Sequence, residues 1–213
     1  MTFPILSSLI LLPLIGGLFI LLSRSSDKSN YQSSKYVALF VSFANFFISI
    51  YLWYIFDPGT SDFQFVENRL WLEGFINYKV GIDGISILFI VLTTLITPLC
   101  IISVNQSINT KLKEFLIAIL VMESLMIGVF CSLDLVIFYL FFEGGLIPMF
   151  LIIGIWGGTR RVYSAFKFFL FTLLGSVLML VAIISIYWIT GTTDIVELNN
   201  SSLLLECLFR GQC

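Results

Sequence analysis

The sequence predicts an all-α membrane protein with six transmembrane helices and its amino terminus on the outer side of the membrane. Three observations support this prediction: the composition, six long apolar segments, and an uneven distribution of Lys and Arg among the loops. Apolar residues make up 59% of the 213 residues and charged residues only 11%, whereas an average soluble domain is about one quarter charged. This composition excludes a soluble enzyme, a disordered tail and a secreted disulfide scaffold.

Six segments are long enough to cross the roughly 30 Å of bilayer hydrocarbon, which takes about 20 apolar residues in a helix. They are 3–22, 36–56, 82–104, 115–133, 135–155 and 164–189. The first lacks a basic start and a small-residue cleavage site, so we interpret it as a retained span. Only Asp134 separates the fourth and fifth segments, which are therefore expected to be antiparallel neighbours. The whole chain, 1–213, is expected to form one membrane domain.

Basic residues are concentrated in the loops that follow spans one, three and five. Seven lie there: Arg24, Lys28, Lys35, Lys111, Lys113, Arg160 and Arg161. The loop after span two, 57–80, has only Arg69 and Lys79, and acidic residues outnumber them. Because loops rich in Lys and Arg stay inside, we expect the amino terminus, the loop 57–80 and the tail 190–213 to lie outside.

The outer loop 57–80 has aromatic residues interleaved with charged ones. Partial alternation of apolar and polar residues at 63–67 is compatible with a short strand. The favoured interpretation is a surface hairpin that seals the helix ends. Asp83, which follows this loop, is interpreted as a residue near the first amides of span three rather than as a proton carrier.

Composition also limits the chemistry that the chain can perform. Histidine is absent, and the four cysteines show no CxxC spacing, so we expect no metal site and no cofactor in this chain. The net charge of -2 offers no electrostatic attraction to nucleic acid.

Three ionisable residues lie inside the predicted spans. Glu143 is eight residues into span five and Glu123 eight residues into span four, which places each about 12 Å deep. Lys167 is three residues into span six, nearer the inner face. Because a charge at the centre of a membrane helix costs roughly 2.5–3.5 kcal/mol, these residues are candidates for a proton path.

The surroundings of Glu143 suit a group that gains and loses a proton. Burial favours the protonated form of a carboxyl group, and a nearby cation favours the ionised form. Gly144 and Gly145 permit close approach of a neighbouring helix or water, and Pro148 leaves the Gly144 carbonyl without its helical donor.

Structural alternatives remain for each of the three residues. Glu143 and Glu123 could each be a hydrogen-bond anchor between helices, and Lys167 could extend its ammonium to the inner interface.

Three stretches of the sequence resemble a known family. Residues 133–150, LDLVIFYLFFEGGLIPMF, resemble the chain 4 family of antiporter-like membrane-arm subunits in respiratory complex I, the NADH:ubiquinone oxidoreductase. Residues 160–176, RRVYSAFKFFLFTLLGS, and 78–86, YKVGIDGIS, are similar to the same family. The resemblance covers roughly 60–190, and residues 201–213 do not resemble the family.

The resemblance implies a proton-pumping subunit of an enzyme complex, with no redox chemistry in this chain. Flavin, iron–sulfur clusters and quinone are expected on other subunits. The key family glutamate falls on Glu143, the lysine of span six falls on Lys167 in a supporting position, and Glu123 is carried over less securely. Partners would be the lipid bilayer and other membrane-arm subunits. The residue usage is typical of an AT-rich organelle genome, so the mitochondrial inner membrane is expected, with a bacterial cytoplasmic membrane as the alternative.

The chain departs from the family in length, because it stops after six spans. The lysine that pairs with the span-five glutamate belongs to a later, broken helix. We therefore expect an amino-terminal portion from a split or truncated gene, completed by a second chain. Two alternatives are a subunit of a multisubunit Na⁺/H⁺ antiporter and a structural spacer in the membrane arm.

Overall fold

The computed structural model describes residues 4–22, 28–60, 62–72, 76–104 and 111–200. The elements in chain order are α1 (Ile5–Leu22), α2 (Lys28–Ile55), β1 (Gln64–Leu72), β2 (Ile76–Ile82), α3 (Ser86–Ser103), α4 (Leu112–Cys131), α5 (Leu135–Trp156), α6 (Arg161–Thr190) and α7 (Ile195–Asn200). Helices α1 to α6 are long and apolar enough to cross a membrane. The prediction of six spans is confirmed, whereas the all-α class is wrong in one respect, because β1 and β2 pair as an antiparallel hairpin.

The third span begins at Ser86, four residues later than predicted. Residues 76–82 form β2 instead, because their backbone pairs with β1. Asp83 Oδ1 then accepts hydrogen bonds from the amides of Ile85 (3.1 Å) and Ser86 (2.7 Å), which is the geometry of a helix N-cap. The interpretation of Asp83 as a helix-end residue is confirmed.

Helices α1 to α4 surround the core, α5 packs on α4, and α6 packs on α5. The core has two apolar clusters. One lies near the hairpin and includes Leu6, Leu9, Leu52, Ile90 and Ile127. The other lies towards the opposite helix ends and comprises Ile20, Ala38, Ile101, Leu116 and Leu120. The polar residues that define the site lie on the α2, α3 and α4 stretches between them.

The hairpin ties the helix ends together on one side of the bundle. The amide of Leu133, in the α4–α5 turn, donates to the carbonyl of Lys79 in β2 (3.0 Å), and the amide of Ile195 donates to the carbonyl of Leu133 (2.9 Å). Lys79 also forms an ion pair with Asp194. The predicted hairpin that seals the helix ends is therefore confirmed. Of the predicted tail 190–213, residues 195–200 form α7, and 201–213 lie outside the described residues.

Besides Asp83 at α3, carboxylates cap two further helices at this end of the bundle. Glu67 of β1 accepts hydrogen bonds from the amides of Leu6 (2.9 Å) and Ser7 (3.2 Å) at the start of α1. Asp134 accepts from the amides of Val136 (2.8 Å) and Ile137 (3.3 Å) at the start of α5. Both caps satisfy first-turn amides that have no partner within their own helix.

Candidate functional site

The α4–α5 pair carries both predicted carboxylates at nearly the same height. The two helices approach closely, because a Cβ added at Gly128 would lie 2.6 Å from Phe141, and one added at Gly144 would lie 3.3 Å from Leu125. Both contacts describe one antiparallel register, in which residue 146 lies opposite Glu123. Glu143 is three residues away from that level, or about 4.5 Å along the axis.

Glu123 is buried between α4 and α2. Its side chain is 2% exposed, and that of Asn45 is fully buried. Asn45 Nδ2 donates a hydrogen bond of 2.9 Å to Glu123 Oε1. The remaining side-chain oxygens, Glu123 Oε2 and Asn45 Oδ1, are both buried without a hydrogen-bond partner in the part of the chain that the structure describes. The pair is thus a polar contact with two unsatisfied acceptors.

Buried hydroxyl groups continue this polar region towards the hairpin. The hydroxyls of Ser49 on α2 and Thr94 on α3 are hydrogen-bonded to each other at 2.7 Å, and both side chains are fully buried. We refer to Asn45, Ser49, Thr94 and Glu123 as the polar cluster. The sequence-based prediction missed Asn45 and Ser49, although a signal was present: Ser42, Asn45 and Ser49 follow the spacing of one helix face.

Glu143 lies half-buried on α5, and its Oε2 atom is buried without a hydrogen-bond partner among the described residues. Gly144 permits the approach of Leu125 from α4, as predicted. Gly145 differs, since no described atom lies within 4 Å of the position that its Cβ would occupy. The space beside Gly145 is therefore not filled by any residue that the structure describes.

Lys167 does not lie beside Glu143. It is exposed on α6, and its Nζ is 6.0 Å from the centre of the Tyr163 ring. Gly154 of α5 lies against Ala165 of α6, and this register places Lys167 level with Ile152, about 13 Å from the level of Glu143 along the axis. The same register places the buried Ser176 opposite Glu143.

An open groove of about 710 Å³ between α3, α4 and α5 reaches Glu123. Its walls are mainly apolar and include Met122, Met126 and Met149, with the Thr97 side chain on α3. Glu123 therefore contacts Asn45 of the polar cluster on one side and lines an accessible groove on the other. Within the described ranges, no three Cys, Asp or Glu side chains lie close enough together to hold a metal ion.

The six membrane-length helices and their buried carboxylates define a multi-pass helical membrane protein. Residues 132–209 match the family described as NADH:quinone oxidoreductase/Mrp antiporter, TM. This match extends into the tail 201–213, so the expectation that the tail does not resemble the family is wrong up to residue 209.

Named relatives are similar over nearly the whole chain. The chain is 54% identical over 195 residues to NADH-quinone oxidoreductase subunit M of Rhodobacter capsulatus, which covers 91% of this chain and 38% of that protein. It is 48% identical over 192 residues to NADH-ubiquinone oxidoreductase chain 4 of Marchantia polymorpha, and this match covers 89% of this chain and 38% of that protein. The chain is thus a homologue of the subunit M and chain 4 proteins, which are subunits of an oxidoreductase complex, and the resemblance to this family is confirmed. It spans about two fifths of their length.

Solved structures share the fold. Respiratory complex I from Thermus thermophilus with bound NADH contains a chain that matches with a TM-score of 0.74 at 28% identity, covering 89% of this chain and 38% of that one. A chain of the Mrp complex from Dietzia sp. DQ12-45-1b matches with a TM-score of 0.74 at 15% identity, covering 98% of this chain and 21% of that one. At that identity the second match shows the fold alone.

Proposed function

We propose that the chain forms the amino-terminal six spans of a proton-translocating antiporter-like subunit in an NADH:quinone oxidoreductase. One observation carries the proposal beyond homology: Glu123 and Glu143 lie on adjacent helices at nearly the same height, each with one buried oxygen that lacks a partner among the described residues. Because the chain spans 38% of its relatives, further spans complete the proton path, whether they belong to this polypeptide or to a second chain.

The energies involved suit a proton relay. An ionised side chain at the centre of a membrane helix costs roughly 2.5–3.5 kcal/mol. Moving one proton against 100 mV costs about 2.3 kcal/mol. Since the two energies are similar, a modest change in the charges around such a carboxylate is enough to load or release a proton at the required potential.

We assign the loading site to Glu143 and a second proton site to Glu123. Lys167 lies about 13 Å from the level of Glu143 along the axis of the α5–α6 pair, too far for a direct ion pair. We therefore assign Lys167 a supporting role. The cation that pairs with Glu143 comes from a helix beyond α6. Flavin, iron–sulfur clusters and quinone reside on other subunits, so this chain moves protons and transfers no electrons.

We also propose that the hairpin end of the bundle lies outside and the opposite end inside. The end opposite the hairpin carries Lys113, Arg160 and Arg161, in agreement with the rule that basic loops stay inside. The membrane is the mitochondrial inner membrane or a bacterial cytoplasmic membrane, and the neighbours are other membrane-arm subunits and lipid.

Glu143→Gln in the assembled complex tests the proposal. We expect NADH-driven proton translocation to fall to a small fraction of the wild-type rate, while the amount of assembled complex is unchanged. Glu114→Gln is the matched control, because Glu114 is exposed in the first turn of α4 and should have no effect. Equal translocation in both variants would overturn the assignment of Glu143 and favour a structural spacer.

A subunit of a multisubunit Na⁺/H⁺ antiporter is the second candidate, because the chain shares its fold with the Mrp complex. The proteins that co-purify with the chain in mild detergent distinguish the two. Flavin and iron–sulfur proteins in the preparation would support the oxidoreductase, whereas membrane subunits alone would support the antiporter.

A further inference from the structure

We infer that Glu123 and Asn45 form an acid–amide pair in which Glu123 Oε2 holds a proton and donates it to Asn45 Oδ1. The pair is thus a proton-binding site between α4 and α2. Asn45 is its positioning residue, because it supplies the acceptor that keeps the proton in place. The use of this proton in translocation rests on the proposed function, whereas its presence rests on the geometry alone.

The first argument is a balance of donors and acceptors. Asn45 Nδ2 already donates to Glu123 Oε1 at 2.9 Å, which leaves Asn45 Oδ1 and Glu123 Oε2 as the two atoms without partners. Both atoms are acceptors when the carboxyl group is ionised. A single proton on Oε2 converts it into a donor and offers a partner to both atoms at once. Buried polar groups are rarely left unpaired, so the protonated form is the one that this geometry fits.

The second argument is that nearby hydroxyl protons are committed elsewhere. The Ser124 hydroxyl donates to the Ile10 carbonyl (2.5 Å), and the Ser42 hydroxyl donates to the Leu39 carbonyl (3.0 Å). The Thr97 hydroxyl donates to the Thr93 carbonyl (3.0 Å). Each hydroxyl has only one proton. Glu123 also makes no ion pair with any residue that the structure describes.

The groove beside Glu123 provides a route for proton exchange. It reaches the carboxyl group from the α3–α5 side, and its lining contains no other carboxylate and no Lys or Arg. When the proton leaves through this groove, both Glu123 Oε2 and Asn45 Oδ1 are left as buried acceptors without a donor among the described residues. This cost favours the protonated form of Glu123.

Infrared spectroscopy of the assembled complex at neutral pH tests the presence of the proton. We expect a carbonyl stretch of a protonated carboxyl group that disappears in Glu123→Gln and persists in the control Glu114→Gln. Asn45→Leu should shift this band to higher frequency, because the acid loses its acceptor. A spectrum unchanged by Glu123→Gln would show that Glu123 is ionised and would overturn the inference.

Stability measurements keep the test decisive if a variant assembles poorly. Glu123→Gln should melt like the wild type, because a glutamine Nε2 can donate to Asn45 Oδ1 in place of the acid. A marked loss of melting temperature in Glu123→Gln would overturn the neutral pair. So would a wild-type melting temperature that rises with NaCl but not with choline chloride, because a sodium ion would then occupy the site.

The inference and the proposed function can fail separately. Normal proton translocation in Glu123→Gln, with the infrared band lost, supports the proton site and removes Glu123 from the translocation path. Normal translocation in Glu143→Gln, with the band retained in that variant, refutes the proposed function and supports the proton site.

Discussion

Replacing Gly128 with alanine tests the close contact that sets the spacing between the helices of Glu123 and Glu143. A Cβ at position 128 would lie 2.6, 2.7 and 2.8 Å from three atoms of the Phe141 ring. Carbon atoms pack best at about 3.5–4.0 Å, so the new methyl group is roughly 1 Å too close. One of the ring atoms is Cγ, at the base of the side chain, and rotation of the ring cannot move it away. The helices must therefore separate, or Phe141 must leave its rotamer.

The expected cost follows from two opposing effects. Overpacking a close-packed interior costs about 1–3 kcal/mol, whereas replacing a helical glycine by alanine gains about 0.8–1 kcal/mol. The net change for Gly128→Ala is a destabilisation of up to about 2 kcal/mol. The matched control is Gly145→Ala on α5, where no described atom lies within 4 Å of the added Cβ, so only the gain in helix propensity remains.

Thermal melts of the detergent-solubilised chain, followed by tryptophan fluorescence, measure the difference. For a chain of this size, the melting temperature shifts by about 2–4 °C for each kcal/mol of stability. Gly128→Ala should therefore melt several degrees below Gly145→Ala. Phe141→Leu in the Gly128→Ala background should recover part of the loss, because it removes the overlapping ring. If Gly128→Ala melts at or above the temperature of Gly145→Ala, the close α4–α5 contact is refuted.

The hairpin end of the bundle gives three further predictions. Glu67→Ala removes the cap of α1 and should lower the free energy of unfolding by about 0.5–2 kcal/mol, measured in the same melts. Asn68→Ala, at an exposed neighbouring position, is the control and should have little effect. Equal melting temperatures of the two variants would contradict the cap. The Thr193 hydroxyl donates to Asp134 Oδ2 at 2.7 Å, so Asp134→Ala leaves both this hydroxyl and the first α5 amides without their acceptor. We expect about 1–2 kcal/mol of destabilisation for Asp134→Ala and less for Asp134→Asn. Equal stability of the two variants would argue against Asp134 as a cap. Burial raises the pKa of the Tyr78 phenol above its ordinary value of 10.0, and the nearby Glu67 charge raises it further. Because the pKa of the Tyr78 phenol is higher in the folded state, its contribution to stability is complete below pH 10 and is lost as the pH rises through the folded-state pKa. Alkaline absorbance titration should therefore show one late-titrating phenol that Tyr78→Phe removes and Tyr54→Phe, at an 87% exposed position, does not.

Much of the fold could be predicted because membrane thickness fixes the length of an apolar helix. The error at span three shows the limit of that argument. Ile82 is apolar and buried, and it lies only four residues before the first residue of α3, so the predicted span included it. Hydropathy cannot distinguish a buried strand from a helix. Asp83 contained the missing information, because a cap lies before the first helical turn and not inside the span.

The heights of Glu123 and Glu143 could also be predicted, since helix rise converts residue counts into depth. The polar cluster could not, because its members come from three helices whose packing partners only the structure shows. Asn45 carries no charge, so a search for ionisable residues within the spans overlooks it. The separation of Lys167 from Glu143 likewise depends on the α5–α6 register, which residue types do not specify.

The two carboxylates differ in the source of their partners. Glu123 has its amide partner in α2, so two helices of this chain form this hydrogen bond. Glu143 has a buried oxygen without a partner among the described residues, and no described atom lies within 4 Å of the position that a Cβ on the neighbouring Gly145 would occupy. On the proposed function, the cation for Glu143 comes from a helix beyond α6. On that proposal, a change in a neighbouring helix or subunit acts on Glu143 directly, whereas it reaches Glu123 through the groove or through a movement of α2 or α4.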